Sequence, residues 1–143
     1  IGIRTRALDE PIDTIMYMIT AALGFSAFEN ALFLFNPLVN GAIADSIITG
    51  SQRFVGASLL HVLCSAVMGI FMAFSFFKNG PASSMYTILG LTFAVALHTL
   101  FNLSIIDGSS VNIFATFTIL WILVIGLLFL FEKVKRLSPI RTP

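Results

Sequence analysis

Four long apolar stretches, separated by turn-forming residues, constrain the fold of this 143-residue chain more than any other feature. They cover about residues 11–36, 51–77, 82–106 and 111–131. A stretch of about 20 residues or more, folded as a helix, crosses the ~30 Å hydrocarbon core of a bilayer. Charged residues make up only 10% of the chain, against roughly 25% in soluble domains. We therefore predict an all-α, polytopic transmembrane helix bundle with about four membrane-spanning helices.

Local turn chemistry predicts where these helices begin and end. Pro11 suits the first turn of a helix, where its missing N–H is not needed. The pair Asn36-Pro37 predicts the end of the first helix, because proline disfavours helical backbone in the residue before it. We expect residues 37–50 to form a loop that holds at most a short interfacial turn. The tract Lys78-Asn79-Gly80-Pro81 predicts a break before the third helix.

Positive charge predicts the orientation of the bundle. With four helices both ends lie on one side, and seven of the eight Lys and Arg residues fall there, leaving only Arg53 on the other. Basic residues favour the cytoplasmic side. We expect a multi-pass protein of the cell (plasma) membrane with both termini cytoplasmic. Residues 1–136 are predicted to form a single membrane-embedded domain, N-terminally incomplete because the chain starts at Ile1, and residues 137–143 a cytoplasmic tail.

Three ionisable side chains interrupt the apolar stretches. Glu29, His61 and His98 fall on the first three predicted helices. At 1.5 Å per residue they lie roughly 10, 15 and 12 Å from the predicted outer ends of their helices. Ionisable groups inside a membrane are costly and mark functional sites by default. The sequence therefore predicts that these three side chains share one layer of the bundle.

Small residues place both histidines on faces that pack against other helices. On helix two and on helix three, small or polar residues recur at every fourth position and so form a stripe along one face. Small residues at this spacing allow close helix contact in lipid. The stripes are Ala57, His61, Ser65, Gly69 and Ala73 on helix two, and Gly90, Ala94, His98 and Asn102 on helix three. Asn102 therefore joins the predicted polar layer, and Phe25 shares a face with Glu29.

The predicted layer leaves several chemistries open. Glu29 could act as a general base on water while the imidazoles and Asn102 stabilise an oxyanion. Alternatively, Glu29, His61 and His98 could bind zinc, although no HExxH motif is present. The two histidines could instead be axial ligands of a b-type haem, or Glu29 could serve ion transport or assembly. Each residue could also be purely structural, as a hydrogen-bonding contact between helices.

Other features exclude several classes of protein. No basic stripe with interleaved aromatic residues is present, so nucleic acid is not an expected partner. Cys64 is the only cysteine, which excludes an internal disulfide and a multi-cysteine metal site. No glycine-rich phosphate-binding loop appears. The expected partners are the lipid bilayer and a membrane protein substrate.

Three segments resemble the PrsW family of intramembrane proteases. The run Asp9–Asp13 with Tyr17 and the later run Leu23–Asn30 is similar to the family pattern DEPxDxxxY…LGFAxxEN, which contains an FxxxE motif. Arg53 followed by His61 looks like the next motif, and His98–Asn102 looks like HxxFN. The resemblance covers most of residues 9–102, in the family's order. It places this chain beside the CAAX prenyl proteases and bacteriocin self-immunity proteins.

The resemblance implies a glutamate-dependent intramembrane peptidase that acts on membrane-embedded or membrane-associated proteins, such as a single-span anti-sigma factor. It implies that Glu29, His61, His98 and Asn102 are the catalytic residues, with no cofactor or, alternatively, zinc. The family's EExxK motif would lie before Asp9 and is not present here. We therefore expect the chain as given to be inactive by itself. The alternative implied by this gap is a non-catalytic relative that binds membrane segments.

Overall fold

A computed structural model describes residues 8–106 and 110–137, and within these ranges the chain forms five helices and no strands. The helices are α1 (Pro11–Val39), α2 (Ile43–Val55), α3 (Ala57–Phe74), α4 (Pro81–Ile106) and α5 (Ser110–Lys135). Four of them, α1, α3, α4 and α5, are long and apolar enough to cross a membrane. The predicted all-α transmembrane architecture is confirmed.

The predicted end of the first helix at Asn36-Pro37 is wrong, because α1 continues to Val39. Its C-terminus is instead formed at Gly41, which has a φ of +76°. The Gly41 N–H donates to the Leu38 carbonyl and the Ala42 N–H to the Pro37 carbonyl, at 3.1 and 2.9 Å. This is a Schellman motif, which satisfies the last carbonyls of a helix. Pro37 is tolerated because it removes only one hydrogen bond in the last turn.

The region between the first two predicted helices also differs from the expectation. Most of the predicted loop 37–50 is helical, because α2 begins at Ile43. The helix predicted over residues 51–77 is divided at Gly56 into α2 and α3, and α3 ends at Phe74. The predicted turn at residues 107–109 and nearly all of the predicted tail lie outside the described residues.

Three close contacts fix the register of α1 against α2 and α3. Ile15 meets Gly69, Ser26 meets Ser58, and Leu34 meets Gly50. From the first contact to the second, the chain runs forward eleven residues on α1 and back eleven residues on α3. From the second contact to the third, the spacing is eight residues on both sides. The segment from Ile43 to Phe74 therefore packs along α1 as one antiparallel partner that is interrupted at Gly56.

The α3 helix forms the centre of the bundle. It contacts each of the other four helices, whereas α1 and α4 share no close backbone contact within the described residues. Two buried clusters result, one toward each end of α3. The first contains Ile15, Ala66, Ile70, Ala73 and Val134, and the second contains Leu60, Leu63, Cys64, Phe101 and Leu120. The first joins α1 and α5 to α3, and the second joins α4 and α5 to it.

The outer surface of the bundle is apolar, as expected of a surface that faces lipid. Large side chains such as Phe114 and Phe129 are 77% and 73% exposed. The exposed hydroxyl groups of Thr20, Thr92 and Thr118 each donate to the carbonyl four residues earlier in their own helix, at 2.8 to 2.9 Å. Such internal bonding satisfies these three hydroxyl groups in a surrounding that offers them no other partner.

Candidate active site

The start of α1 is built by the run Glu10-Pro11-Ile12-Asp13. Asp13 accepts a hydrogen bond from the Glu10 N–H at 2.8 Å through Oδ2, as in the second half of a capping box, and Pro11 occupies the first helical position. One residue later, the hydroxyl group of Thr14 lies 2.9 Å from the Gly69 carbonyl oxygen of α3. The acidic run therefore has a local structural role, and the next residue ties α1 to α3.

Glu29 and His61 form a polar pair between α1 and α3. Oε2 of Glu29 and Nε2 of His61 are 2.9 Å apart, and their side chains are 30% and 12% exposed. Glu29 and His61 do not lie directly opposite each other in the antiparallel register of α1 and α3. Helical side chains point toward the N-terminus of their own helix, so these two side chains extend toward each other and meet. The pairing explains how a carboxyl group and an imidazole persist between two apolar helices, since each satisfies the other.

Two more aromatic rings surround the His61 imidazole. The Phe25 ring, one turn before Glu29, meets it edge-on with 5.2 Å between centroids. The His98 ring of α4 also packs against it at a tilt, with centroids 5.1 Å apart. His61 therefore connects Glu29 on α1 to His98 on α4. The structure brings together three of the four residues that the sequence predicts for the site.

Asn102 is the residue that the structure does not bring into this group. It is exposed on α4, one turn beyond His98, and takes no part in the Glu29–His61 hydrogen bond. Its neighbour Phe101 is buried and meets the Phe117 ring of α5 at 6.1 Å. The segment His98–Asn102 therefore contributes one residue to the polar group and one to the packing of α4 on α5.

Ser58 is a residue of this region that the sequence reasoning missed. Its hydroxyl group lies 2.8 Å from the Ser26 hydroxyl and accepts a hydrogen bond from the Asn30 side-chain amide at 3.0 Å. Ser58 precedes His61 by three residues, so both lie on the same face of α3. In the sequence, this three-residue spacing from His61 was the signal that could have identified Ser58. Ser58 fixes α1 against α3 directly beside the Glu29–His61 pair.

An open groove lies over α3 between α1 and α4, with a volume of about 580 Å³. Its α1 wall contains Phe25, and its floor on α3 contains His61 and Ser65. The α4 wall contains Leu91, Ala94, Val95, His98 and Thr99. The groove is therefore a largely apolar channel between α1 and α4, with the His61 imidazole on its floor and the His98 imidazole on one wall.

The haem alternative is not favoured by this geometry. Axial ligands must stand on opposite sides of a porphyrin, whereas the rings of His61 and His98 pack directly against each other. Nε2 of His61 is also already engaged by Glu29.

Comparison with known proteins agrees with the motifs. Residues 1–130 match a family described as "PrsW family intramembrane metalloprotease". The chain belongs to the PrsW family. It is 27% identical over 101 residues to "Protease PrsW" from Clostridioides difficile (strain 630), a match that covers 70% of this chain and 41% of that relative. The chain thus spans about two fifths of the length of the PrsW relative it matches. No solved structure matches it.

The PrsW family description names a metalloprotease, a class of enzyme whose metal ion is held by protein side chains. Among the side chains that the structure describes, no three His, Cys, Asp or Glu are arranged so that they could hold a metal ion. Glu29 and His61, two of the proposed ligands, are hydrogen-bonded to each other instead. The alternative of zinc bound by Glu29, His61 and His98 does not fit this arrangement of side chains.

Proposed function

We propose that this PrsW family chain forms the catalytic core of an intramembrane peptidase that hydrolyses peptide bonds of membrane-embedded or membrane-associated proteins. The supporting observation is the Glu29–His61 pair, 2.9 Å apart, beside a groove that also contains His98. The Glu29 carboxyl group is 30% exposed, and its partner His61 lines the groove. A carboxylate held by an imidazole beside such a groove is suited to act as a general base on water.

In the proposed reaction the Glu29 carboxylate takes a proton from a water molecule while the water oxygen attacks the carbonyl carbon of the substrate. The resulting oxyanion receives a hydrogen bond from the His98 imidazole, which lines the groove. The protonated Glu29 then gives its proton to the amide nitrogen as the C–N bond breaks. His61 positions Glu29, and no step passes through a metal ion.

The groove suggests the class of substrate. Its walls carry Phe25, Leu91 and Val95, which are 51–56% exposed on the apolar surface of the bundle. An apolar segment of a membrane protein can occupy such a channel without losing its apolar surroundings, whereas a charged soluble peptide cannot. We propose substrates with a single membrane span, of which an anti-sigma factor is the example that the family suggests.

Charge supports the proposed orientation in the plasma membrane. Nζ of Lys78 lies 5.5 Å from the Tyr86 ring centroid, and Nζ of Lys133 lies 5.9 Å from that of Phe74, at the C-terminal end of α3. Lys135 lies two residues farther along α5. A cluster of lysines at one end of a bundle favours the cytoplasmic side for that end. Under this proposal both termini are cytoplasmic.

Cleavage of a library of single-span substrates by the full-length protein in liposomes tests the proposal. Glu29→Gln should abolish cleavage, because glutamine keeps a hydrogen bond to His61 but cannot accept the proton. Glu132→Gln is the matched control, since Glu132 is a surface residue paired with Lys135 at 2.9 Å, and it should cleave normally. His98→Ala should slow cleavage strongly, as expected for the loss of an oxyanion donor, ~10²-fold or more.

Equal cleavage by the wild type and by Glu29→Gln would refute the assignment of Glu29 as the base. Retention of substrates by the wild type without any cleavage would instead support the non-catalytic, segment-binding alternative.

A further inference from the structure

A second cavity lies between α1 and α2, apart from the groove of the candidate active site. Its volume is about 550 Å³, and the two cavities share no lining residue. Leu34 and Leu38 of α1 form one wall, and Ile43, Ile47 and Phe54 form most of the other. The α2 side chains on this wall are strongly exposed, Ile47 at 65% and Phe54 at 73%. We refer to this cavity as the α1–α2 crevice.

The two serine hydroxyl groups that line the crevice each donate to the carbonyl group four residues earlier in the chain. The Ser46 hydroxyl donates to the Ala42 carbonyl at 3.0 Å, and the Ser51 hydroxyl donates to the Ile47 carbonyl at 2.9 Å. Neither hydroxyl donor is therefore left for a polar ligand. This is the same arrangement that the lipid-facing threonines of α1, α4 and α5 adopt, and it suits an apolar ligand.

The position of α2 also connects the crevice to the lipid-facing surface. The contact of Gly50 with Leu34 keeps α2 in the antiparallel register that α3 has with α1, a membrane-spanning helix. On α1 the wall residue Leu38 is 52% exposed, and Phe35, which lies next to the wall residue Leu34 in sequence, is 66% exposed. The apolar face of α2 therefore extends the exposed apolar surface of α1, a helix long and apolar enough to cross a membrane.

We propose that the α1–α2 crevice binds an acyl chain of a bilayer lipid, so that α2 lies with its apolar face inside the hydrocarbon layer. A helix of 13 residues is too short to span the bilayer, but it can be half-embedded along one apolar face. Placing Ile43, Ile47 and Phe54 in water instead would expose a contiguous apolar patch beside a membrane surface that can cover it.

Tryptophan fluorescence tests this proposal, because Trp121 is the only tryptophan. Trp121 lies on α5 and is 52% exposed, so the native protein serves as the lipid-facing reference. Trp121→Phe with Phe54→Trp moves the probe to the crevice, and Trp121→Phe with Asn79→Trp moves it to an exposed turn. Each protein is reconstituted in phosphatidylcholine vesicles, with or without brominated acyl chains, and titrated with acrylamide.

The crevice probe should lose intensity to brominated lipid as strongly as Trp121 does, and should resist acrylamide. The probe at position 79 should show the opposite pattern. Quenching of the crevice probe by acrylamide, at the level of the position 79 probe, would overturn the proposal in favour of water. Protection from both quenchers would also overturn it, since a protein segment would then cover the crevice. An Ile47→Trp probe, in the same background, should repeat the result of Phe54→Trp.

Discussion

Replacement of Gly69 by alanine tests the close approach of α1 and α3 on which the candidate site depends. A Cβ atom at Gly69 would lie 2.7 Å from Cα of Ile15 and 3.1 Å from the Thr14 carbonyl oxygen. These are backbone atoms of α1, so the strain cannot be relieved by rotation of a side chain. Overpacking of this kind costs about 1–3 kcal/mol. Displacement of α1 would also weaken the Thr14 hydrogen bond to Gly69, worth about 1 kcal/mol.

Gly69→Ala should therefore lower the free energy of unfolding by about 2–4 kcal/mol. Gly24→Ala is the matched control, because a Cβ atom there would meet nothing within 4 Å. In that variant the higher helix propensity of alanine should leave stability unchanged or raise it by up to about 1 kcal/mol. Unfolding by SDS in mixed micelles, followed by far-UV circular dichroism, measures both. Equal stability of the two variants would refute the described packing of α1 on α3.

Three further predictions concern residues around the helices and the site. Ser58→Ala should lower the free energy of unfolding by about 1–2 kcal/mol in the same SDS titration, because it removes the hydrogen-bond partner that Ser26 and Asn30 share. Ser84→Ala, on the exposed surface of α4, should leave it unchanged. Gly41→Ala should cost about 1–2 kcal/mol because alanine is strained at a φ of +76°, while Gly126→Ala within α5 should not. Cys64 is 7% exposed, so a maleimide should label it slowly in vesicles and rapidly in SDS, as mass spectrometry would show; rapid labelling in vesicles would contradict its burial.

The helix boundaries show where reasoning from short sequence signals failed. Asn36-Pro37 is a valid break signal, yet the helix end lies at Gly41, where a left-handed residue closes a Schellman motif. Likewise α2 mixes polar and apolar residues, and such a segment is easily read as a loop when only hydropathy is considered. In the structure α2 packs on α1, where Gly50 contacts Leu34. Such a tertiary contact stabilises a helix that hydropathy alone does not predict.

The sequence alone was sufficient to predict a membrane-embedded helix bundle. Helix length and hydropathy are local properties, and no partner is needed to satisfy the backbone of an apolar helix in lipid. The sequence also indicated that Glu29, His61 and His98 need partners, since ionisable groups are costly there. The resemblance to the PrsW family rests separately on the motifs within residues 9–102 and on their order.

Only the tertiary structure decided which side chains meet. The pairing of Glu29 with His61, the role of Ser58 and the position of Asn102 outside the group all depend on helix register. Register is a property of two surfaces together, set here where Gly69 admits the backbone of Ile15. Neither helix contains that information by itself, because periodicity identifies the packing face of a helix but does not identify the residue opposite it on a neighbour.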